Sequence, residues 1–205
     1  MKKFVRLNRS GFTLIEVIVV AAIIAILAGI LVPMIFSQVE ESRTSKAKGD
    51  VKTIQTAFQM FRRDVGKWPY YTQFNADGTF VTCSLLHTGA AADLPALSAG
   101  FDNSNPAQTI PIIDQLASNK FGYNATMWKG PYLPDSSLDP WGKSYVINSG
   151  NLDSNPPEVV WIMSAGPDGV IQTPAQAKEL CTTVAVAPDP PTPISPCDDI
   201  GIRLN

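Results

Sequence analysis

One carboxylate stands in the most apolar stretch of the chain, where its chemistry would be that of an ion pair. Residues 12–36 contain 21 apolar residues out of 25, and Glu16 is the one charged residue among them. A carboxylate inside a lipid-spanning helix costs on the order of several kcal/mol unless it is compensated. Two interpretations stay open: Glu16 reaches back to interfacial water near the helix end, or it pairs with a positive group.

The nearest positive partner depends on where the mature chain begins. If the chain is cut after Gly11, Phe12 presents an α-amine. With a reference pKa of about 7.7–8.0, that amine is mostly protonated at neutral pH. It lies four residues from Glu16, and a neighbouring subunit would offer the same group. Because charges in lipid are weakly screened, this attraction would favour the side-by-side assembly of helices.

The sequence lacks the residue patterns that enzymes use. No G-x-S-x-G, H-E-x-x-H, P-loop or G-x-G-x-x-G motif occurs. The single histidine, His87, follows Cys83 by four residues, a spacing that suits a metal pair on a helix. The sequence supplies no further ligands nearby, so we interpret both residues as structural. Without a nucleophile, a base and an orienting group, we predict that the protein is not an enzyme.

The segment that holds Glu16 is long enough to cross a membrane. At about 1.5 Å per residue, a helix over residues 12–36 spans a hydrocarbon core of roughly 30 Å. A secretory signal peptide has a shorter apolar region and a small-residue cleavage site, and neither is found here. Residues 1–11 carry a charge of +4, but four basic residues also follow the span, within residues 43–52. The positive-inside count is nearly a tie, and charge density favours a cytoplasmic leader.

The pattern of residues 37–67 predicts that the helix continues with a single apolar face. Its apolar residues recur at steps of three and four: Ala47, Val51, Ile54, Phe58, Phe61 and Val65. Gly66 is placed for a helix C-cap, and Pro69 cannot continue the helix. We therefore predict one helix over residues 13–65, whose second half must be covered by a sheet or another helix.

The residues around the predicted cleavage point resemble a known processing motif. Gly11-Phe12-Thr13-Leu14-Ile15-Glu16-Val17 resembles the prepilin motif of type IV pilins and type II secretion pseudopilins. The resemblance implies cleavage after Gly11 by a membrane prepilin peptidase, N-methylation of Phe12, and a role for Glu16 in subunit registry within a filament. Pro33 also falls where that family places a proline. It is either a tolerated membrane proline or a point where the helix kinks during assembly.

The C-terminal residues 68–205 have a different composition, with 16 of the 17 prolines and a net charge of -8. Short strands are predicted at Thr79–Thr82, Ser144–Ile147 and Glu158–Met163. The last two flank the turn-rich Asn148–Pro157 and form an antiparallel hairpin. A short helix is expected around Ile112–Ala117, and the rest of residues 83–120 as loop. The fold class is α+β: a pilin-like long helix packed on a small antiparallel β-sheet head domain.

Four patches in this part are similar to the major pseudopilin of type II secretion systems. They are Gly130-Pro131-Tyr132-Leu133, Asp139-Pro140-Trp141-Gly142, the turn from Ser164 to Gly169, and Cys197-Asp198-Asp199-Ile200. In that family the loop between the turn and the acidic close binds Ca²⁺. The resemblance implies a calcium site with Asp168, Asp198, Asp199 and Ser164, since calcium takes six to eight oxygen ligands. Taken alone, Pro-Asp-Gly is more often a simple turn.

The chain departs from this family in the length of that loop. Here 29 residues separate Asp168 from Asp198, and they include the Pro-rich residues 187–196, which favour polyproline II. If Cys181 and Cys197 form a disulfide, the Pro-rich stretch becomes a closed side loop and Asp198 is drawn back to the domain. Disulfides persist outside the cytoplasm. Cys83 is then left over, buried or free.

These features predict a filament subunit of a type II secretion pseudopilus. It would be a single-pass inner-membrane protein with its C-terminal domain in the periplasm. Its partners would be other pilin-like subunits, the prepilin peptidase and the inner-membrane assembly platform. The pI of about 5.3 and the lack of a basic stripe predict no nucleic-acid partner. Two alternatives stay open: a type IV pilin for adhesion, motility or DNA uptake, and a membrane-anchored periplasmic binding domain that never polymerises.

Overall fold

The computed structural model describes residues 11–74, 80–101, 104–152, 154, 158–181 and 197–204. Most of the predicted leader and the Pro-rich residues 187–196 lie outside the described residues, and what the sequence predicts of them stays a prediction. The chain divides into two compact units, residues 1–42 and residues 43–205.

Helix α1 spans Leu14–Val65, close to the predicted bounds of 13–65, and includes Pro33. In the first unit its large apolar side chains are exposed along its whole circumference. An 18-residue window of this helix reaches a mean hydropathy of 3.0 with at most two charged residues. A helix that is apolar all round is stable only inside a membrane or a larger assembly. The first unit therefore has the properties of a membrane span.

In the second unit α1 buries the apolar stripe that its sequence predicted. The buried residues are Ala47, Val51, Ile54, Ala57, Phe58, Phe61 and Val65. The helix ends as expected, because Gly66 takes a left-handed conformation with φ of 76° and its N–H donates to the Arg62 carbonyl at 2.8 Å. The stripe packs on the sheet described next.

The described residues of the second unit form seven short strands and one further α-helix. They are β1 Tyr71–Phe74, β2 Phe80–Thr82, β3 Leu85–His87, β4 Thr109–Pro111, α2 Ile113–Leu116, β5 Val146–Ile147, β6 Trp161–Ser164 and β7 Ile200–Arg203. Strands β1 and β2 form a separate antiparallel pair. The main sheet has the order β4-β3-β5-β6-β7.

The main sheet is mixed, so the prediction of an antiparallel sheet is wrong in one place. The hairpin of β5 and β6 is antiparallel as predicted, with Val146 opposite Met163, and β7 adds to β6 in the same manner. Strands β3 and β4, however, pair in parallel. The chain between β3 and β4 is long enough to return to the starting edge, which a parallel pair requires.

The sheet is buried on both faces. Leu86, Ile147 and Ile162 pack in the cluster that contains the stripe of α1. Their neighbours along the strands, such as Val146 and Met163, pack in a second cluster with residues that follow β6. With both faces covered, the strands show no alternation of apolar and polar residues. This is why β3 and β4 fall in a region that the sequence analysis assigned to loop.

Candidate functional site

The start of α1 carries a reciprocal set of hydrogen bonds between Thr13 and Glu16. Glu16 Oε2 accepts from the Thr13 N–H and from Thr13 Oγ1, both at 2.8 Å. Thr13 Oγ1 accepts from the Glu16 N–H at 3.3 Å. Because Leu14 is the first helical residue, Thr13 is the N-cap and Glu16 the third helical residue. The pair is a capping box, whose T-x-x-E signature is in the sequence but was missed there.

The capping box bears on both interpretations of Glu16. Its carboxylate lies in the first turn of the helix and one of its oxygens is held by its own chain. A positive partner would therefore add to these bonds. Gly11 and Phe12 precede the helix and are exposed. The Gly11–Phe12 bond therefore lies outside the helix, directly before the N-cap residue Thr13.

In the second unit, sheet register brings together carboxylates that are far apart in sequence. Strands β6 and β7 are antiparallel with Ser164 opposite Ile200. The residues after β6 and those before β7 therefore leave the sheet at the same end. This places Asp168 beside Asp198, whose Oδ2 accepts from the Asp168 N–H at 3.3 Å. The 29-residue separation does not prevent this proximity, because the strand pairing alone produces it.

The turn after β6 approaches Asp198 so closely that it needs a glycine. Gly166 has a φ of 66°, and a Cβ at this position would lie 2.5 Å from the Asp198 carbonyl oxygen and 2.9 Å from its Cγ. No other residue type fits that approach. Gly166 is therefore part of what holds the Asp198 backbone against the turn.

Asp168 and Asp199 each accept hydrogen bonds from the segment between them. Asp168 accepts from the Val170 N–H at 2.9 Å and from the Gln172 side-chain amide. Asp199 Oδ2 accepts from the N–H groups of Gln172 and Thr173 at 3.0 and 2.6 Å. Gln172 thus contacts both carboxylates, Asp199 through its backbone N–H and Asp168 through its side-chain amide. We call Asp168, Gln172, Asp198 and Asp199 the acidic cluster.

Three oxygens of the acidic cluster are buried without a hydrogen-bond partner among the described residues. They are Asp198 Oδ1, Asp199 Oδ1 and Gln172 Oε1. A buried acceptor with no donor is costly, and such oxygens are commonly satisfied by an ordered water or a bound ion. Nothing in the sequence signalled Gln172, because its role depends on the path of the chain after the turn.

The electrostatics of the acidic cluster also favour a cation. Burial raises the pKa of Asp198, and the negative charge of Asp168 raises it further. Burial likewise raises the pKa of Asp199, an effect that its hydrogen bonds to Thr173 and Gln172 oppose. A bound cation would offset both the desolvation and the repulsion between the carboxylates.

The Ser164 hydroxyl makes its hydrogen bonds outside the acidic cluster. It donates to Asp139 Oδ2 at 2.7 Å and accepts from the Gly166 N–H at 3.2 Å. Asp139 also accepts from the N–H groups of Trp141 and Lys143. Ser164 therefore ties the end of β6 to the Asp139 turn, because its buried hydroxyl takes the nearest strong acceptor.

The cysteines pair as the sequence analysis hypothesised. Cys181 and Cys197 form a disulfide with a Cα–Cα distance of 5.9 Å, next to the acidic cluster. Cys83 is free and buried, and its Sγ lies 3.3 Å from Ser149 Oγ. Burial raises the pKa of the Cys83 thiol to about 12. His87 is also buried, and its Nδ1 lies 3.0 Å from the backbone carbonyl oxygen of Thr88.

A processing motif at the head of a membrane-length helix, joined to an α+β unit, defines a pilin-like subunit. Comparisons with known proteins support this class. Residues 6–32 match the prokaryotic N-terminal methylation motif, and residues 97–183 match the family model of type II secretion system protein G. No solved structure gives a significant match.

Relatives from several bacteria carry the same description, type II secretion system core protein G. The Escherichia coli K12 protein is 30% identical over 167 residues, which cover 81% of this chain and 87% of the relative. The Klebsiella pneumoniae protein is 26% identical over 80% of this chain and 88% of its own. The Pseudomonas aeruginosa protein is 42% identical over 64 residues, 31% of this chain and 45% of its own. The chain belongs to the type II secretion system protein G family.

Proposed function

We propose that the chain is a structural subunit of a type II secretion pseudopilus and has no catalytic activity. One observation carries this proposal: the Gly11–Phe12 bond stands directly before a capped, membrane-length helix in a chain of the protein G family. The C-terminal half supports the same assignment, because the family model covers the turn that forms part of the acidic cluster.

Maturation would begin at the exposed Gly11–Phe12 bond. A prepilin peptidase would cut it and methylate the new amine of Phe12. Before assembly, residues 12–36 would lie in the inner membrane with the second unit in the periplasm. The disulfide of the second unit supports that orientation, since disulfides persist outside the cytoplasm. An inner-membrane assembly platform would then extract the subunit.

Assembly would use the charge of Glu16 and the apolar surface of α1. The exposed apolar side chains of the first unit would be covered by the corresponding helices of other pilin-like subunits. The α-amine of one subunit would pair with Glu16 of the next and set the register. Pro33, which lies within the helix, would be the point where α1 adjusts during packing.

The test is complementation of a deletion strain. We expect loss of the gene to abolish secretion of a type II substrate enzyme, and the wild-type gene to restore it. A matched control measures twitching and surface fibres in the same strain. Loss of fibres with normal secretion would favour the surface-pilin alternative. Normal secretion and normal fibres would leave the membrane-anchored binding domain, and either result would contradict the proposal.

We further propose that the acidic cluster binds Ca²⁺. The residues suit a hard cation: Asp168, Asp198 and Asp199 supply carboxylates and Gln172 a side-chain carbonyl. The three unpartnered buried oxygens support the fit. A calcium ion would neutralise the carboxylates there, and would hold the start of β7 to the turn after β6.

Calcium binding is tested by thermal unfolding of the full chain in detergent, with calcium and with chelator. We expect calcium to raise the Tm of the wild type, as for any ligand that binds the native state preferentially. Asp168→Ala should lose this rise, whereas Asp135→Asn, at an exposed position, should retain it. An unchanged calcium response in Asp168→Ala would show that this assignment is wrong.

A further inference from the structure

The disulfide and the acidic cluster share one residue. Asp199 Oδ2 lies 3.5 Å from Cys181 Sγ and 3.9 Å from Cys197 Sγ. One ligand atom from each of these three residues falls within 4.8 Å of the others. The Asp199 carboxylate thus lies beside both sulfurs of the disulfide. Residues 182–196 of the insert separate the two cysteines in sequence.

We propose that the reduced chain uses Cys181, Cys197 and Asp199 as a site for a thiophilic divalent cation such as Zn²⁺. The distances agree with such a site. With Zn–S bonds of about 2.3 Å and a Zn–O bond of about 2.0 Å, sulfur and oxygen ligands of a tetrahedral zinc lie roughly 3.5 Å apart. The observed sulfur-to-oxygen distances of 3.5 Å and 3.9 Å are close to this value. The two sulfurs are bonded to each other in the oxidised chain, and they would have to move apart on reduction to bind the same ion.

The chemistry is balanced by a dithiol reductant. The dithiol gives two electrons and two protons to the Cys181–Cys197 bond and becomes a disulfide, which leaves two thiols on the chain. Zn²⁺ then displaces the two thiol protons, which go to solvent. Two Zn–S bonds and one bond to the Asp199 carboxylate form, and a fourth position stays open to water.

Hydrogen bonds from neighbouring residues already orient the Asp199 carboxylate. The N–H groups of Thr173 and Gln172 hold its Oδ2 at 2.6 and 3.0 Å, as outer-shell partners orient ligating groups in metal sites. The Cys181 N–H in turn donates to Thr173 Oγ1 at 3.2 Å. The same few residues therefore fix both the carboxylate and one cysteine before any metal binds.

This site differs from the proposed calcium site in the metal it selects. Thiolates favour zinc over calcium, which prefers oxygen ligands. The inference does not depend on calcium binding, since it needs two thiols and the oxidised chain has neither. In the cell, zinc would occupy chains that have not yet formed the disulfide, and it would shield their thiols.

The experiment uses the full-length chain in detergent micelles, either oxidised or reduced with a dithiol that is then removed without oxygen. Each sample is equilibrated with Zn²⁺, desalted and assayed for zinc per chain. Co²⁺ in a parallel sample reports thiolate ligands by its charge-transfer absorption. We expect about one zinc per reduced chain and none per oxidised chain.

Three variants assign the ligands. Cys83→Ser is the matched control and should bind zinc as the wild type does, because Cys83 is buried and is not part of the disulfide. Cys197→Ser should lose both the zinc and the thiolate signal. Asp199→Asn keeps an oxygen to accept the two N–H bonds, and should weaken zinc binding on the order of 10-fold or more.

Equal zinc binding by the oxidised and reduced chains would overturn the proposal, and so would no binding by either. Binding that survives Cys197→Ser would also overturn it. If Asp199→Asn bound zinc as tightly as the wild type, the carboxylate would not be a ligand and the three-residue site would be wrong. None of these outcomes bears on secretion, so the proposed role as a filament subunit stands or falls separately.

Discussion

Removing the disulfide should destabilise the second unit by an amount that follows from its loop length. The perturbation is the double substitution Cys181→Ser with Cys197→Ser. The two cysteines are 16 residues apart. Cross-linking over a loop of that length lowers the entropy of the unfolded chain by an amount worth about 3 kcal/mol at 25 °C. The double variant should therefore lose about 3 kcal/mol of unfolding free energy.

Thermal unfolding provides the assay. For a unit of this size, each kcal/mol corresponds to a Tm change of roughly 2–4 °C. The Tm of the double variant should thus be about 6–12 °C lower than that of the wild type. It is measured by near-ultraviolet circular dichroism of the full chain in detergent. Chelator is present in every sample, so that cation binding does not contribute.

The matched control is the reductant itself. Reduction of the wild type should lower its Tm by about the same amount as the double substitution, while reduction of the double variant should change nothing further. A double variant within about 2 °C of the oxidised wild type, less than 1 kcal/mol, would refute the reasoning. It would mean that the bond constrains the unfolded chain far less than its loop length implies.

Three further predictions concern other parts of the chain. Glu16→Gln should still be cleaved and methylated but yield few sheared filaments, because glutamine can keep the bonds to Thr13 and lacks the charge; normal filaments would show that only the cap matters. Phe58→Ala should lower the free energy of unfolding, measured with urea, by about 3–5 kcal/mol, since Phe58 is fully buried. Met60→Ala, on the exposed face of the helix, should change the free energy of unfolding by less than about 0.5 kcal/mol. Burial raises the pKa of the Cys83 thiol to about 12, so Cys83 in the native protein should resist alkylation by iodoacetamide between about pH 7 and 9. It should react once urea unfolds the protein. Rapid alkylation of the native protein would contradict the burial of Cys83.

The helix was predictable from sequence because its signals are local. The stripe that includes Phe58 and Phe61 repeats with the period of one helix face, and Gly66 follows where a C-cap is needed. The capping box of Thr13 and Glu16 is equally local and could have been found in the same way.

The main sheet was less predictable because its pattern depends on what covers it. Strands β3 and β4 are three residues long, and β3 is buried throughout. A strand with both faces covered has no alternation to detect. The parallel pairing of β3 with β4 is a property of the connection between them, which local sequence does not specify.

Some members of the acidic cluster were predictable from the sequence and others were not. Asp168, Asp198 and Asp199 could be proposed from the resemblance, and the pairing of β6 with β7 explains why Asp168 and Asp198 meet. Ser164 and Gln172 could not be sorted from sequence, because each is decided by which way the side chain turns. Ser164 takes the buried Asp139, and Gln172 turns toward Asp168.

The central claim is that this chain is a processed filament subunit, and the mass of its N-terminus tests that claim most directly. The full-length chain is expressed with and without a prepilin peptidase, purified from membranes and analysed by intact and peptide mass spectrometry. We predict that the peptidase removes residues 1–11 and leaves a chain that begins with N-methylated Phe12, while the chain expressed alone keeps Met1. A chain that keeps Met1 in the presence of an active peptidase would contradict the account.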